Sequence, residues 1–369
     1  MNAEKKKVLF VTRDKKPGMI AVKIARKLEE KGETVAVIAE GLSIGEWDAS
    51  ELGLSGGFQK GPVDIKEPWG ISASTILADV RPDVVVCGLS SPIRAEAWFA
   101  SATRQQSTIF RGIPLVCLDD NWGAVYRCQT PADLVFTIDA LGKRLVEQSL
   151  LYDRRDYKVE IIGDLSATAA TEPIPQATID AFNAAKGDAD FAFVLCSQKW
   201  TESDDIIRIG LESCAMSLEQ GAKLVVIPRF HPGASDEDKV KWRDKVGLLI
   251  REYPDAVQTI DGHNTDHLAT LADGTFAATG SALRAAAYAG KFPICVWTPR
   301  LGEKLKAESG MEHHSLAVAD AALELFASEE IVACIENYGD NVRFVQKELL
   351  TPISFDAEKA ADAILALVK

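Results

Sequence analysis

Short uninterrupted apolar runs recur along this chain, and they constrain its fold more than any other feature. Val8–Thr12 reads VLFVT, Thr34–Ala39 TVAVIA, Asp83–Cys87 DVVVC, Ile113–Leu118 IPLVCL, Phe191–Cys196 FAFVLC and Leu224–Pro228 LVVIP. A strand with one wet face alternates apolar and polar residues; these do not, so both of their faces are covered. Stretches of helical period lie between them. Met19–Glu30, for example, sets Ile20, Val22, Ile24, Ala25 and Leu28 on one stripe. Strand, helix, strand, repeated in this way, builds a parallel sheet with right-handed crossovers and helices on both faces. Leu134–Ile138 and Val159–Ile162 extend the series in the first half, with helices at Ala73–Asp79, Arg94–Gln105 and Leu141–Leu151. Arg13–Gly18 reads as a polar loop, and Glu40–Gly70 as loop with short helical pieces.

The pattern breaks at Ser166–Gln176 (SATAATEPIPQ), where small residues and two prolines mark a linker. It then restarts. Helices are predicted at Ser203–Gln220, Asp236–Glu252, Asp266–Leu271 and Ile331–Leu349, and a strand at Val257–Ile260. The chain thus divides into residues 1–165, a linker 166–186, a second α/β domain 187–352, and a terminal segment 353–369 with an amphipathic helix over Asp356–Val368. Its 369 residues suit two domains.

The net charge of −13 has the wrong sign for a protein that holds nucleic acid, so no such partner is expected. The seven cysteines include no CxxC pair and several fall inside apolar runs, which suits buried thiols in a reducing compartment. No run approaches the ~18 apolar residues of a membrane span, and the N-terminal apolar run is too short for a signal peptide. A cytoplasmic protein is expected.

Asp273–Thr298 is the stretch where chemistry is expected. It reads as strand (Thr275–Ala278), turn (Thr279-Gly280-Ser281), small-residue helix (Ala282–Ala289) and strand (Pro293–Val296). Such a turn aims backbone N–H groups and the Ser281 hydroxyl at one spot, a site of phosphate size. In open α/β sheets ligands lie outside the carboxyl ends of strands, where this turn would be. A second strand ends in Pro228-Arg229-Phe230-His231-Pro232-Gly233. His231 there is placed to donate to a phosphate or act as an acid, while the prolines keep the chain out of helix.

Two such domains, the Gly280-Ser281-Ala282-Leu283 run followed by Gly290 and Phe292-Pro293, and the strand-His-Pro step together resemble the GT-B fold of nucleotide-sugar glycosyltransferases and hydrolysing UDP-N-acetylglucosamine 2-epimerases. The resemblance spans almost the whole chain. It implies two Rossmann-like α/β/α domains facing each other across a cleft, the second binding the donor nucleotide and the first an acceptor small molecule or glycan. It implies a donor phosphate site at Gly280 and Ser281, with Ser197, Lys199, Arg229 and Arg284 as further donor-side residues. Arg284 departs from the pattern, since the family usually has a Glu there that accepts from ribose hydroxyls. Arg cannot accept, though it can pair with a phosphate or carboxylate. The epimerases' paired glycines after an aspartate, and their acidic run after the last strand, have no match around Thr279 or Thr298–Glu303. The implied activity is therefore a glycosyltransferase that needs no metal and no cofactor beyond its nucleotide-sugar donor. A 2-epimerase or hydrolase, or a non-catalytic binding protein of the same fold, is the alternative. The terminal helix would pack back on the first domain.

On the acceptor side, Arg13, Asp14, Lys15 and Lys16 follow the first strand, and Asp119-Asp120-Asn121-Trp122 follows another. Asp119 or Asp120 is the candidate general base, Trp122 a candidate stacking ring, and Arg13 and Lys16 candidate acceptor-binding residues. Arg127 and Asp139 are weaker candidates. His263 and His267 are four apart, but without a third ligand they are not read as a metal site. His313-His314 is read as loop. Association with a second copy of the chain is compatible with the sequence.

Overall fold

The apolar runs assemble into two parallel sheets, each in its own unit. A computed structural model of the chain describes residues 5–60, 69–90, 95–104, 112–122, 130–149, 156–167, 173–198, 200–231, 233–309 and 312–368. One unit comprises Met1–Leu165, Glu308–Gly310 and Ile353–Lys369, the other Ser166–Ala307 and Met311–Pro352.

The first unit runs β1 (Lys7–Thr12), α1 (Lys15–Glu30), β2 (Thr34–Ala39), α2 (Ser43–Asp48), β3 (Phe58–Lys60), α3 (Trp69–Val80), β4 (Val84–Gly88), α4 (Ala95–Arg104), β5 (Leu115–Leu118), β6 (Leu134–Thr137), α5 (Ala140–Gln148) and β7 (Lys158–Ile161). Its sheet has the order β3-β2-β1-β4-β5-β6-β7 with every neighbour parallel. The order reverses between β1 and β4, which makes a switch point at their carboxyl ends. β4, β5 and β6 are buried along their whole length, as their unalternating sequences require.

Two expectations give way here. α1 begins at Lys15, inside the stretch read as a polar loop, because Pro17 falls in the first turn, where a helix needs no N–H from it. Lys16 is thereby a helical residue. Glu40–Gly70 contains a strand as well as helix, the three-residue β3 at the sheet edge.

The second unit runs α6 (Gln176–Lys186), β8 (Phe191–Cys196), α7 (Asp204–Glu219), β9 (Leu224–Arg229), α8 (Asp236–Glu252), α9 (Thr265–Leu271), β10 (Gly274–Ala277), α10 (Ser281–Tyr288), β11 (Phe292–Val296), α11 (Pro299–Ser309), α12 (Ser315–Val318), β12 (Leu323–Leu325) and α13 (Ile331–Leu349). The sheet order is β12-β11-β10-β8-β9, again parallel throughout. The switch point lies between β8 and β10. Val257 forms a single parallel bridge to Val226, and the predicted strand Val257–Ile260 does not form because it has no partner along its length. α7 lies close on the sheet; a Cβ on Gly210 would sit 2.5 Å from Leu195 Cδ1.

The last helix, α14 (Ala357–Leu365), belongs to the first unit. Ala360, Ala361 and Ile364 are fully buried in the cluster that holds Ile20, Ile24 and Leu28 of α1. The returning chain is locked by Asp164 N–H donating to the Ile353 carbonyl at 2.8 Å. No helix among the described residues is long and apolar enough to cross a membrane.

Candidate functional site

The tips of β8, β9 and β10 enclose a cavity of about 260 Å³ in the second unit. Its lining brings together Ser197, Arg229, His231, Gly280 and Ser281, all singled out in the sequence. It adds Gln198, Thr265, Asp266 and Thr279, which were not.

The turn after β10 is held open by its glycine. Gly280, at φ 121° and ψ 176°, precedes α10 in a conformation that side chains rarely adopt. It receives no side-chain cap, so the first N–H groups of α10 face the cavity with the positive end of the helix dipole. Gln198 Nε2 donates to the Thr279 carbonyl at 2.6 Å and ties this turn to the β8 tip across the switch point.

Ser197 and His231 are tied to each other. Ser197 N–H donates to the Arg229 carbonyl at 3.0 Å, and the His231 N–H donates to Ser197 Oγ at 2.8 Å. The His231 Nδ1 accepts from Gly233 N–H at 3.0 Å. An accepting Nδ1 leaves the proton of the neutral ring on Nε2, a donor for an incoming oxygen. Cys196 also lines the cavity, and burial pushes its thiol up to about 12, which favours the protonated form.

Arg229 has a second role. Its guanidinium donates to the Ile260 carbonyl, to the His263 carbonyl at 2.7 Å and to Thr265 Oγ1 at 3.2 Å. It therefore pins the segment entering α9, and with it Asp266, whose Oδ1 accepts from Ser281 Oγ at 2.8 Å.

Arg284 does not join this lining. It is 5% exposed, one turn into α10, on a helix buried around most of its girth. Its charge acts on His314, whose pKa is lowered to about 4 by burial and by Arg284. His314 caps α12, accepting from Leu316 N–H. Lys199 and Arg127 lie outside the described residues.

In the first unit the two strand-tip aspartates differ in burial. Asp119, 2% exposed, accepts from Asn121 N–H at 3.3 Å and so closes its own turn. Asp120 is half-buried and its carbonyl accepts from Lys16 Nζ at 2.9 Å. Lys16 Nζ also pairs with the fully buried Asp164 at 2.8 Å. Trp122 is 3% exposed, and both Asp139 oxygens accept its indole N–H at 2.9 and 2.8 Å, so the ring is a packing element with little surface for stacking. Asp139 also caps α5. Arg13 directly follows β1; its carbonyl accepts from Ser43 N–H at 2.9 Å. At the β1/β4 switch point Asp14 N–H donates to Ser90 Oγ, which in turn donates to the fully buried Glu96. Glu96 lay unflagged inside a helical pattern. Among the described residues no three His, Cys, Asp or Glu side chains converge to hold a metal; His263 Nδ1 instead bonds Thr178 Oγ1 at 2.9 Å.

Neither a protein-family profile nor a curated protein matches the chain by sequence. Solved structures do match it by fold. A glycosyltransferase from Rickettsia africae superposes with a TM-score of 0.59 at 11% identity, covering 99% of each chain. Staphylococcus aureus MnaA, solved with UDP, superposes at 0.58 and 12% identity over 98% of this chain and 95% of its own. The UDP-GlcNAc 2-epimerase of Neisseria meningitidis, bound to UDP-GlcNAc, gives 0.55 at 13% over 98% and 99%. The chain has the GT-B fold. The cavity lies in the second Rossmann-like unit, and Asp119 and Asp120 of the first unit lie at the tip of a strand of its own sheet.

Proposed function

We propose that this protein is a glycosyltransferase that takes a nucleotide-activated sugar as donor and works without a metal. The observation that carries the reading is the uncapped N-terminus of α10, opened by Gly280 onto the strand-tip cavity beside Ser197 and His231. A diphosphate seated there would accept from the first N–H groups of α10 and from Ser281 Oγ. His231 Nε2–H would stabilise charge as it develops on the leaving phosphate, the kind of contribution that is worth about 10²–10³ in kcat for a single donor. The sugar would pass to a hydroxyl of an acceptor small molecule or glycan. Asp120, more open than Asp119, is the candidate base for that hydroxyl. Two of the fold neighbours named above were solved with UDP or UDP-GlcNAc, which supports a nucleotide-sugar as ligand class.

Calorimetry with UDP tests the site. Wild-type chain is expected to bind, and Ser281→Ala and His231→Ala to bind more weakly; unchanged affinity in both would overturn the assignment. Turnover of a nucleotide-sugar panel with and without acceptor mixtures separates the activities. Consumption without any acceptor would replace transferase by epimerase or hydrolase.

A further inference from the structure

We propose that Asp266 sets the ligand specificity of the strand-tip cavity, selecting an anion that carries hydroxyl groups beside it over a bare phosphate. This rests on the donor-site reading above and names what the site discriminates.

Asp266 lies at the start of α9 and lines the same cavity as Thr279, Gly280 and Ser281. It is a carboxylate set against the helix end proposed to hold phosphate. Its Oδ1 already accepts the hydroxyl proton of Ser281, the first residue of α10. Its backbone N–H is held by Asn264 Oδ1 at 2.9 Å, and the residues just before it are held by the three bonds from Arg229. The carboxylate is thus fixed in place. Besides burial, Asp266 raises and Arg229 lowers the pKa of the Cys196 thiol, so both charges are felt at the β8 tip.

A bare phosphate entering this cavity meets a like charge and must compete with Asp266 for the one proton of the Ser281 hydroxyl. Repulsion between unit charges a few ångströms apart is on the order of 1 kcal/mol in water and more in a protein cleft. A ligand with hydroxyl groups next to its phosphate changes the balance. A carboxylate can only accept hydrogen bonds, and hydroxyl donors are what it can use. At about 260 Å³ the cavity holds several times the ~30 Å³ that one water takes in the liquid, so it admits a group beyond the phosphate. Arg284 is buried away from the lining and can only donate, whereas Asp266, from the neighbouring helix, brings a carboxylate acceptor into it.

The test is the ratio of affinities for UDP and inorganic pyrophosphate, measured by calorimetry on the full chain. Wild type is expected to favour UDP. In Asp266→Ala pyrophosphate is expected to tighten about five- to tenfold, the size of one like charge removed nearby, while UDP does not tighten, so the ratio collapses. Asp266→Asn, which removes the charge and keeps a carbonyl acceptor, is expected to tighten pyrophosphate and retain UDP. A 2′,3′-dideoxy nucleoside diphosphate should lose affinity for wild type and not for Asp266→Ala. If wild type binds UDP and both variants keep its UDP-to-pyrophosphate ratio, the inference is overturned and the donor site stands. If wild type binds neither ligand, both fall.

Discussion

Gly280 tests the backbone on which the site is built. Its φ of 121° and ψ of 176° lie where an L-residue costs roughly 1–3 kcal/mol. A Cβ there would find Gln198 Nε2 at 3.8 Å, an ordinary van der Waals distance. Gly280→Ala is therefore a backbone perturbation with no steric one added. Hydrogen exchange of the amides in α10 reads the local opening free energy, which is expected to fall by about 1–3 kcal/mol. If the turn relaxes to relieve the strain, the Thr279 carbonyl leaves Gln198 and the α10 N–H groups swing off the cavity. UDP affinity then drops about tenfold for each 1.4 kcal/mol of binding free energy that those N–H groups supplied. Gly290, just past the other end of α10, is the control. It has φ 68° with nothing within 4 Å of an added Cβ. Gly290→Ala should cost about 1–2 kcal/mol of the same protection through its left-handed backbone and leave UDP affinity unchanged. Unaltered α10 protection in Gly280→Ala would refute the strain argument. Equal loss of UDP binding in both variants would refute the claim that the turn, rather than helix stability, carries the ligand.

Lys16→Met removes the ammonium paired at 2.8 Å with the buried Asp164 carboxylate, and should lower stability in urea unfolding by a few kcal/mol, at most about 3–5; adding Asp164→Asn should recover part of that loss, and no recovery would count against the pairing. His314 is held neutral in the folded chain, its pKa lowered to about 4 by burial and by Arg284. Above the unfolded value of about 6.5 neither state is protonated and the group contributes no pH dependence. As pH falls from about 6.5 toward 4 the unfolded chain takes up the proton first, so stability is lost at up to about 1.4 kcal/mol per pH unit. His314→Asn, which keeps an acceptor for the α12 cap, should flatten that slope; parallel pH profiles of the two proteins would refute it.

Much of the architecture follows from local signals. The runs from VLFVT to LVVIP become buried parallel strands because they offer no polar face to leave in water. α13 spans Ile331–Leu349 and α8 Asp236–Glu252, as their periodicity predicts. β3 and α11 were less legible, since a three-residue edge strand and a helix opened by Pro299 and rich in charge carry little periodic signal. Val257–Ile260 has the composition of a strand but lacks a partner along its length, and pairing is a tertiary property.

The same division runs through the candidate site. The sequence alone determined that a glycine turn precedes a small-residue helix and that a strand ends in His-Pro, because backbone freedom and helix initiation are local. Which strand tips converge was decided by the switch point between β8 and β10, through pairings some eighty residues apart in the chain (Gly274 with Phe193, Thr275 with Val194). That convergence set His231 and Ser281 on one cavity and placed Asp266 against Ser281, the packing of α10 turned Arg284 into the interior, and in the first unit the pairing of β5 with β6 gave Trp122 to Asp139. Side-chain partners across a sheet depend on strand order, and no window of residues contains strand order.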